Sequence, residues 1–178
     1  MKNLERTCQV VLKELQDHGH TVNVVYDIGA NDGRWYKDWK PILPSSQFVM
    51  FEANPNTQLK YGIGDDILRF NQVLSHTDGA TVEFFLANPG KESTGDSYYK
   101  EQTQNYSNGK SILLNTKTLN TMIEENNLPL PDFIKMDTQG AEVDIMKGGS
   151  LALKHAKMAL IEVPIMPYNT GAPNFNDY

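Results

Sequence analysis

Four short stretches carry side chains whose types and spacing could do chemistry, and each closes an apolar run. They are Asp27-Ile28-Gly29-Ala30-Asn31-Asp32-Gly33, Glu52-Ala53-Asn54-Pro55, Val73-Leu74-Ser75 and Asp137-Thr138-Gln139-Gly140. In the first, Gly29 permits a tight turn and brings the main chain close to a ligand. Gly33 permits close packing where a helix begins, and free N–H groups at that helix start would favour polar or anionic ligand groups. The spacing is Gly-x-x-x-Gly, whereas a dinucleotide turn wants G-x-G-x-x-G. The missing middle glycine argues against a pyrophosphate here, and the same spacing also serves an ordinary strand-to-helix turn. Glu52 follows one strand–helix unit later. A carboxylate there can accept from both hydroxyls of a ribose, or be a surface glutamate before a helix cap. The pair of features points to a nucleoside ligand more strongly than either alone.

Strands must hold these residues in place. Val22, Val24, Val25 and Tyr26 form a β-branched run into the glycine turn. Residues 47–52, 67–74, 132–137 and 158–163 are four further runs, so five core strands are predicted. Leu4, Cys8, Leu12 and Leu15, with Val11 beside them, predict an amphipathic helix stopping at Gly19. Helices are also predicted over 34–40, from Asn54-Pro55 to Gly62 or Gly64, over 118–127 capped by Thr118, over 141–147 and over 150–156. Turn chemistry at 76–79 and a β-prone stretch at 81–86 predict a hairpin with the third strand. Residues 88–110 read as a long polar loop, 111–114 as a short strand, and 164–178 as a loop-like tail. This alternation predicts an α/β fold: a mainly parallel sheet with helices on both faces and an inserted β-hairpin. One domain covers 1–178, with an N-terminal helix at 1–19, a core at 22–163 and a tail at 164–178. In open sheets of this kind, ligands lie outside the carboxyl ends of the strands where strand order reverses.

Composition removes several alternatives. A length of 178 residues suits one domain, and a formal charge of −6 gives no general attraction to nucleic acid or anionic membranes. The single cysteine, Cys8, cannot form an internal disulfide and reads as a small buried hydrophobe. No run is long and apolar enough for a membrane helix, and charges throughout the first twenty residues do not suit a signal peptide, so a cytoplasmic protein is expected. His18-x-His20 lacks a third ligand and reads as a solvated turn; no metal site is predicted. Trp35, Tyr36 and Trp39 either pack a helix or line an acceptor pocket.

A nucleoside site without a pyrophosphate loop points to S-adenosyl-L-methionine. The segments VVYDIGANDGRWYKDW, FVMFEANPN, NQVLSHTDGATVEFF and PDFIKMDTQGAEVDIMKGG occur in that order. Over residues 22–163 the chain resembles the FkbM family of S-adenosylmethionine-dependent methyltransferases, with a Rossmann-like fold. The K-x-D-x-x-G-x-E pattern and following K-G-G are the most specific part. The resemblance implies that Asp27, Gly29 and Gly33, with Ala30, shape the pocket for the methionine part, and that Asn31 bonds its polar end. It implies Glu52 on the ribose, Ala53 and Asn54 flanking the adenosine, Leu74 and Ser75 bordering the adenine, and Asp137 near the reactive methyl. The Ser-rich segment 93–99 resembles one that follows the hairpin in the family; it is a candidate to close over cofactor or acceptor, and reads at least equally well as a solvated loop.

Methyl transfer to a hydroxyl needs a proton acceptor. Asp137 is the expected base by location; Glu162 is a second carboxylate at the same sheet edge, and Glu142 is a base or a structural partner. The implied activity is O-methylation of a small or carbohydrate-like acceptor. The alternatives are a non-catalytic S-adenosylmethionine- or nucleoside-binding domain and an NAD-dependent oxidoreductase, against which the glycine spacing speaks. Family members continue into two further strands after the fifth. Only residues 164–178 follow here, so those strands are expected to be absent. The open edge then implies a truncated chain or a homodimer covering it.

Overall fold

Apolar strand runs send alternate side chains to opposite faces, so a sheet built from them must be covered on both sides. The computed structural model describes residues 2–62, 64–87, 94–102, 109–166 and 168–178, with side chains from residue 7 onward. In chain order the elements are α1 (Lys2–Asp17), β1 (Val24–Ile28), α2 (Arg34–Trp39), β2 (Gln47–Glu52), β3 (Ile67–Asn71), β4 (Val73–Leu74), β5 (Thr81–Leu86), β6 (Lys100–Glu101), β7 (Lys110–Lys117), α3 (Leu119–Asn126), β8 (Phe133–Met136), α4 (Glu142–Lys147), α5 (Ser150–His155), β9 (Met158–Ile161) and β10 (Asn169–Thr170), then a 3₁₀ turn at Phe175–Asp177.

The central sheet runs β3-β2-β1-β8-β9, with every pairing parallel. Register sets Val25 beside Phe48 and Phe133, and these pack with Leu12 of α1 and with Trp35 and Trp39 of α2. The two indoles stack with centroids 4.7 Å apart, as the helix-packing reading expects. Tyr26, Val49 and Ile134 face the other way, onto Leu119 and Met122 of α3, Ile145 of α4 and Ala152 of α5. Leu12 is 2% exposed, and burying such a side chain is worth about 1.5–3 kcal/mol. Cys8 is half-buried against the same cluster. Thr118 caps α3 by accepting from the Thr121 N–H at 3.1 Å, and Asn127 closes it in the left-handed region at φ 49°.

Four expectations require correction. No helix follows Asn54-Pro55. The Asn54 side chain accepts from the Asn56 N–H at 2.9 Å, and the N–H groups of Lys60 and Tyr61 both go to the Asp32 carbonyl. Donors that a helix would use internally instead brace the glycine turn. The third strand is not continuous: β3 leaves the central sheet at Asn71, and β4 pairs parallel with β7. Consequently β5 makes no hairpin with the third strand. It pairs antiparallel with β7 across residues 87–109, giving a second sheet of order β4-β7-β5 with its own cluster of Val73, Phe84 and Leu86. Finally, the tail is partly ordered, since β10 pairs antiparallel with β6. Among the described residues the central sheet ends at β9.

Candidate active site at the strand ends

Strand order reverses between β1 and β8, so two loops diverge there and open a crevice. A cavity of about 790 Å³ occupies it, within the range of small-molecule sites. Gly29, Ala30, Asn31, Glu52, Ala53, Leu74 and Asp137 all line this one cavity, as do Thr94, Asp96, Ser97 and Tyr98 of the segment after β5. Ser93 lies outside the described residues.

The loop after β1 is built by close approach. Gly29 has φ +80°, and a Cβ there would stand 1.9 Å from the Asp137 carbonyl oxygen. Only glycine lets the ends of β1 and β8 come together. Several backbone donors of this loop are already engaged. Gly29 and Ala30 donate to the Phe51 carbonyl, Gly33 to Ala30, and Arg34 to the Asp32 carboxylate.

Glu52 is held by two of its own loops. One oxygen accepts from the Asn31 N–H at 2.7 Å and the other from the Asn54 N–H at 2.8 Å. A carboxylate has about four acceptor positions, so about two stay available to a diol. Burial pushes the Glu52 carboxyl above its usual range, although both N–H bonds oppose it. The Asn54 amide is spent on Asp96 at 2.8 Å, which ties the 94–98 segment to the second strand's end.

The loop after β8 repeats the device. Fully buried Glu142 accepts from the Thr138 N–H at 2.7 Å, the Gly140 N–H at 3.0 Å and the Tyr178 hydroxyl at 2.7 Å. It is a structural partner of the loop. Gln139 sits between these bonds at φ 55°. Its amide donates to Asp137 at 2.8 Å and to Glu162 at 3.0 Å. Burial pushes Asp137 up, but the bond shared with Glu162, then Lys135 and Gln139, hold its carboxyl below the usual range. The same shared bond, with burial, pushes Glu162 up to about 8.

On the cavity wall, Lys135 pairs with Asp27 at 3.0 Å, donates to the Gly29 carbonyl at 2.9 Å and lies 3.9 Å from Asp137. Asp27 is wholly buried. Burial raises its carboxyl, and Lys135 stays charged because Asp27 and Asp137 outweigh the burial that would lower it.

A family model described as the methyltransferase FkbM domain matches residues 27–175. The chain belongs to that family. It is 23% identical over 163 residues to hexuronic acid methyltransferase AglP of Haloferax volcanii, covering 87% of this chain and 62% of that protein. It is 27% identical over 158 residues to 2-O-methyltransferase NoeI of Sinorhizobium fredii, covering 78% of this chain and 62% of that protein. The match thus spans less than two thirds of either relative. No solved structure gives a significant match. Methyltransferases of this family generally use S-adenosylmethionine.

In this FkbM domain, four expected cofactor residues do not line the cavity. Asp27 lies behind it, Gly33 is pinned under the Tyr61 carbonyl, Asn54 holds Asp96, and Ser75 donates its N–H to the Lys117 carbonyl. Trp35 packs the core and also reaches the cavity wall. Sequence reasoning gave no role of their own to Lys135, Asp96, Gln139 and the tail. A lysine inside the buried run Phe133–Met136 was the available signal for the first. The tail gave none: Tyr168 donates to the Gln139 amide oxygen at 3.3 Å and Asn169 to the Gln139 carbonyl. Among the described residues, no helix is long and apolar enough to cross a membrane, and no group of three or more His, Cys, Asp or Glu could hold a metal ion.

Proposed function

We propose that this domain binds S-adenosylmethionine at the reversal of strand order and transfers its methyl group to a hydroxyl of a sugar-like acceptor. One observation carries the reading: the Gly29 turn, the braced Glu52 carboxylate and Asp137 converge on a single cavity. The residues present fit the cofactor's parts. Glu52 retains acceptor positions for a ribose diol, Ala53, Leu74 and Phe84 offer apolar surface to an adenine, and Asn31 and Asp137 face the remainder. Bound there, the cofactor supplies an activated methyl on a sulfonium, and the chain supplies position.

The chain's own task is to orient the acceptor and take its hydroxyl proton. Asp137 lines the cavity and is 39% exposed at its side chain, so an acceptor can reach it. Thr94, Asp96, Ser97 and Tyr98 also line the cavity. The names of the two relatives, one a hexuronic acid methyltransferase and one a 2-O-methyltransferase, support a carbohydrate hydroxyl as acceptor.

The test is transfer of isotope-labelled methyl from S-adenosylmethionine to a panel of mono- and oligosaccharides. Labelled product from at least one sugar, lost in Asp137→Asn with cofactor binding intact, is the expected result. Turnover unchanged in Asp137→Asn rejects the base assignment. Cofactor binding with no methylation of any acceptor favours a binding domain.

A further inference from the structure

Glu162 enters the cavity one strand over from Asp137, at the end of β9, and both line its wall. A side-chain amide carries two N–H bonds. Gln139 gives one to each carboxyl group, at 2.8 and 3.0 Å, and so holds the two together. Gln139 is itself fixed at both ends. Tyr168 donates to its amide oxygen, which sets the NH₂ toward the carboxyls, and Asn169 holds its carbonyl. The flanking N–H groups of Thr138 and Gly140 are locked onto Glu142.

Charge counting then limits what the pair can be. The charged and titratable groups facing Glu162 are Asp137 and Lys135 at β8, Glu142 of α4, and Tyr168 and Tyr178 of the tail. Among these described groups Lys135 is the one cation, and its ammonium already serves Asp27 and the Gly29 carbonyl. One ammonium cannot neutralise Asp27, Asp137 and Glu162 together, and two like charges held on one amide favour a proton kept between Asp137 and Glu162.

Resting on the methyltransferase reading, we propose that the proton acceptor of this site is a two-carboxyl unit, Asp137 with Glu162. Gln139 is its positioning residue, and a cofactor cation entering the cavity drives out the proton the two carboxyls share. The unit is then ready to act as base. The acceptor's O–H bond breaks with its proton passing to the unit, while the new O–C bond forms and the S–C electron pair stays on sulfur. The rise of Glu162 to about 8 agrees with a proton still held at neutral pH.

The test is calorimetry at pH 7 in two buffers of different ionisation enthalpy, with S-adenosylmethionine and its neutral-sulfur product S-adenosylhomocysteine as probes. A group titrating at about 8 is about 0.9 protonated at pH 7. The expected result is that the sulfonium form releases up to about 0.9 proton more than the product. The excess should vanish in Glu162→Gln and in Asp137→Asn while both still bind the cofactor, and shrink in Gln139→Leu. Carboxyl carbon NMR of the ligand-free protein should show Glu162 titrating near 8 and returning toward the ordinary glutamate range in Asp137→Asn. Cofactor binding with no excess release, or an excess that survives Glu162→Gln, overturns this inference and leaves the methyltransferase reading standing. No binding of either probe overturns both.

Discussion

Replacing Gly29 by alanine tests the close approach on which the crevice depends. The new Cβ would lie 1.9 Å from the Asp137 carbonyl oxygen and 2.8 Å from its carbon, and both are backbone atoms of the neighbouring loop. The strands cannot yield locally, because β1 and β8 are paired up to Ile28 and Met136. The residue also sits at φ +80°, where a side chain alone costs about 1–2 kcal/mol. Gly79 is the matched control: its φ is +73°, and a Cβ there meets nothing within 4 Å. Gly79→Ala should therefore lose only the backbone contribution, about 1–2 kcal/mol. Gly29→Ala should lose about 3–5 kcal/mol or fail to fold, as large effects do when an overpacked site has no slack. Urea unfolding monitored by tryptophan fluorescence gives both values. Equal destabilisation of the two variants would refute the argued contact between the ends of β1 and β8.

Glu52→Gln should weaken S-adenosylmethionine binding by about 1.5–3 kcal/mol, roughly 10–150-fold by titration, because an amide cannot accept from both Asn31 and Asn54 and offers fewer acceptors to a diol. Lys135→Met should cost about 3–5 kcal/mol in chemical denaturation by leaving Asp27 charged and buried, and the double variant Asp27→Leu/Lys135→Met should recover much of it. Asp132 is held below its usual carboxyl range: burial opposes this, but Lys157 and the N–H groups of Asn23 and Val24 outweigh it. Its folded value is depressed, so its stabilisation is present above the unfolded value of about 3.9 and is lost as pH falls through the folded one. Asp132→Asn should flatten that acid limb of a plot of Tm against pH.

Three of the strand ends were legible because a buried parallel strand has to be a continuous apolar run, so Asp27, Glu52 and Asp137 stand out where such runs stop. Thr118 and Asn127 marked α3 because caps are local chemistry. What escaped reading depended on distant partners. Asn54-Pro55 satisfies a helix start and an Asx turn equally, and the Asp32 carbonyl, far along the chain, decides between them. The partner of β5 could not be read, because β4 and β7 compete for pairing and only the Val73, Phe84 and Leu86 cluster settles it. Gln139 and Tyr168 carry no local pattern that links them; folding of the tail onto the loop after β8 makes them neighbours.

The most direct test of the central claim is equilibrium binding of S-adenosylmethionine to the chain, measured by calorimetry beside Glu52→Gln and beside NAD. Saturable binding of S-adenosylmethionine at one site, weakened in Glu52→Gln and without competition from NAD, is the predicted result. Failure of S-adenosylmethionine to bind, or binding unaffected by Glu52→Gln, would contradict the account.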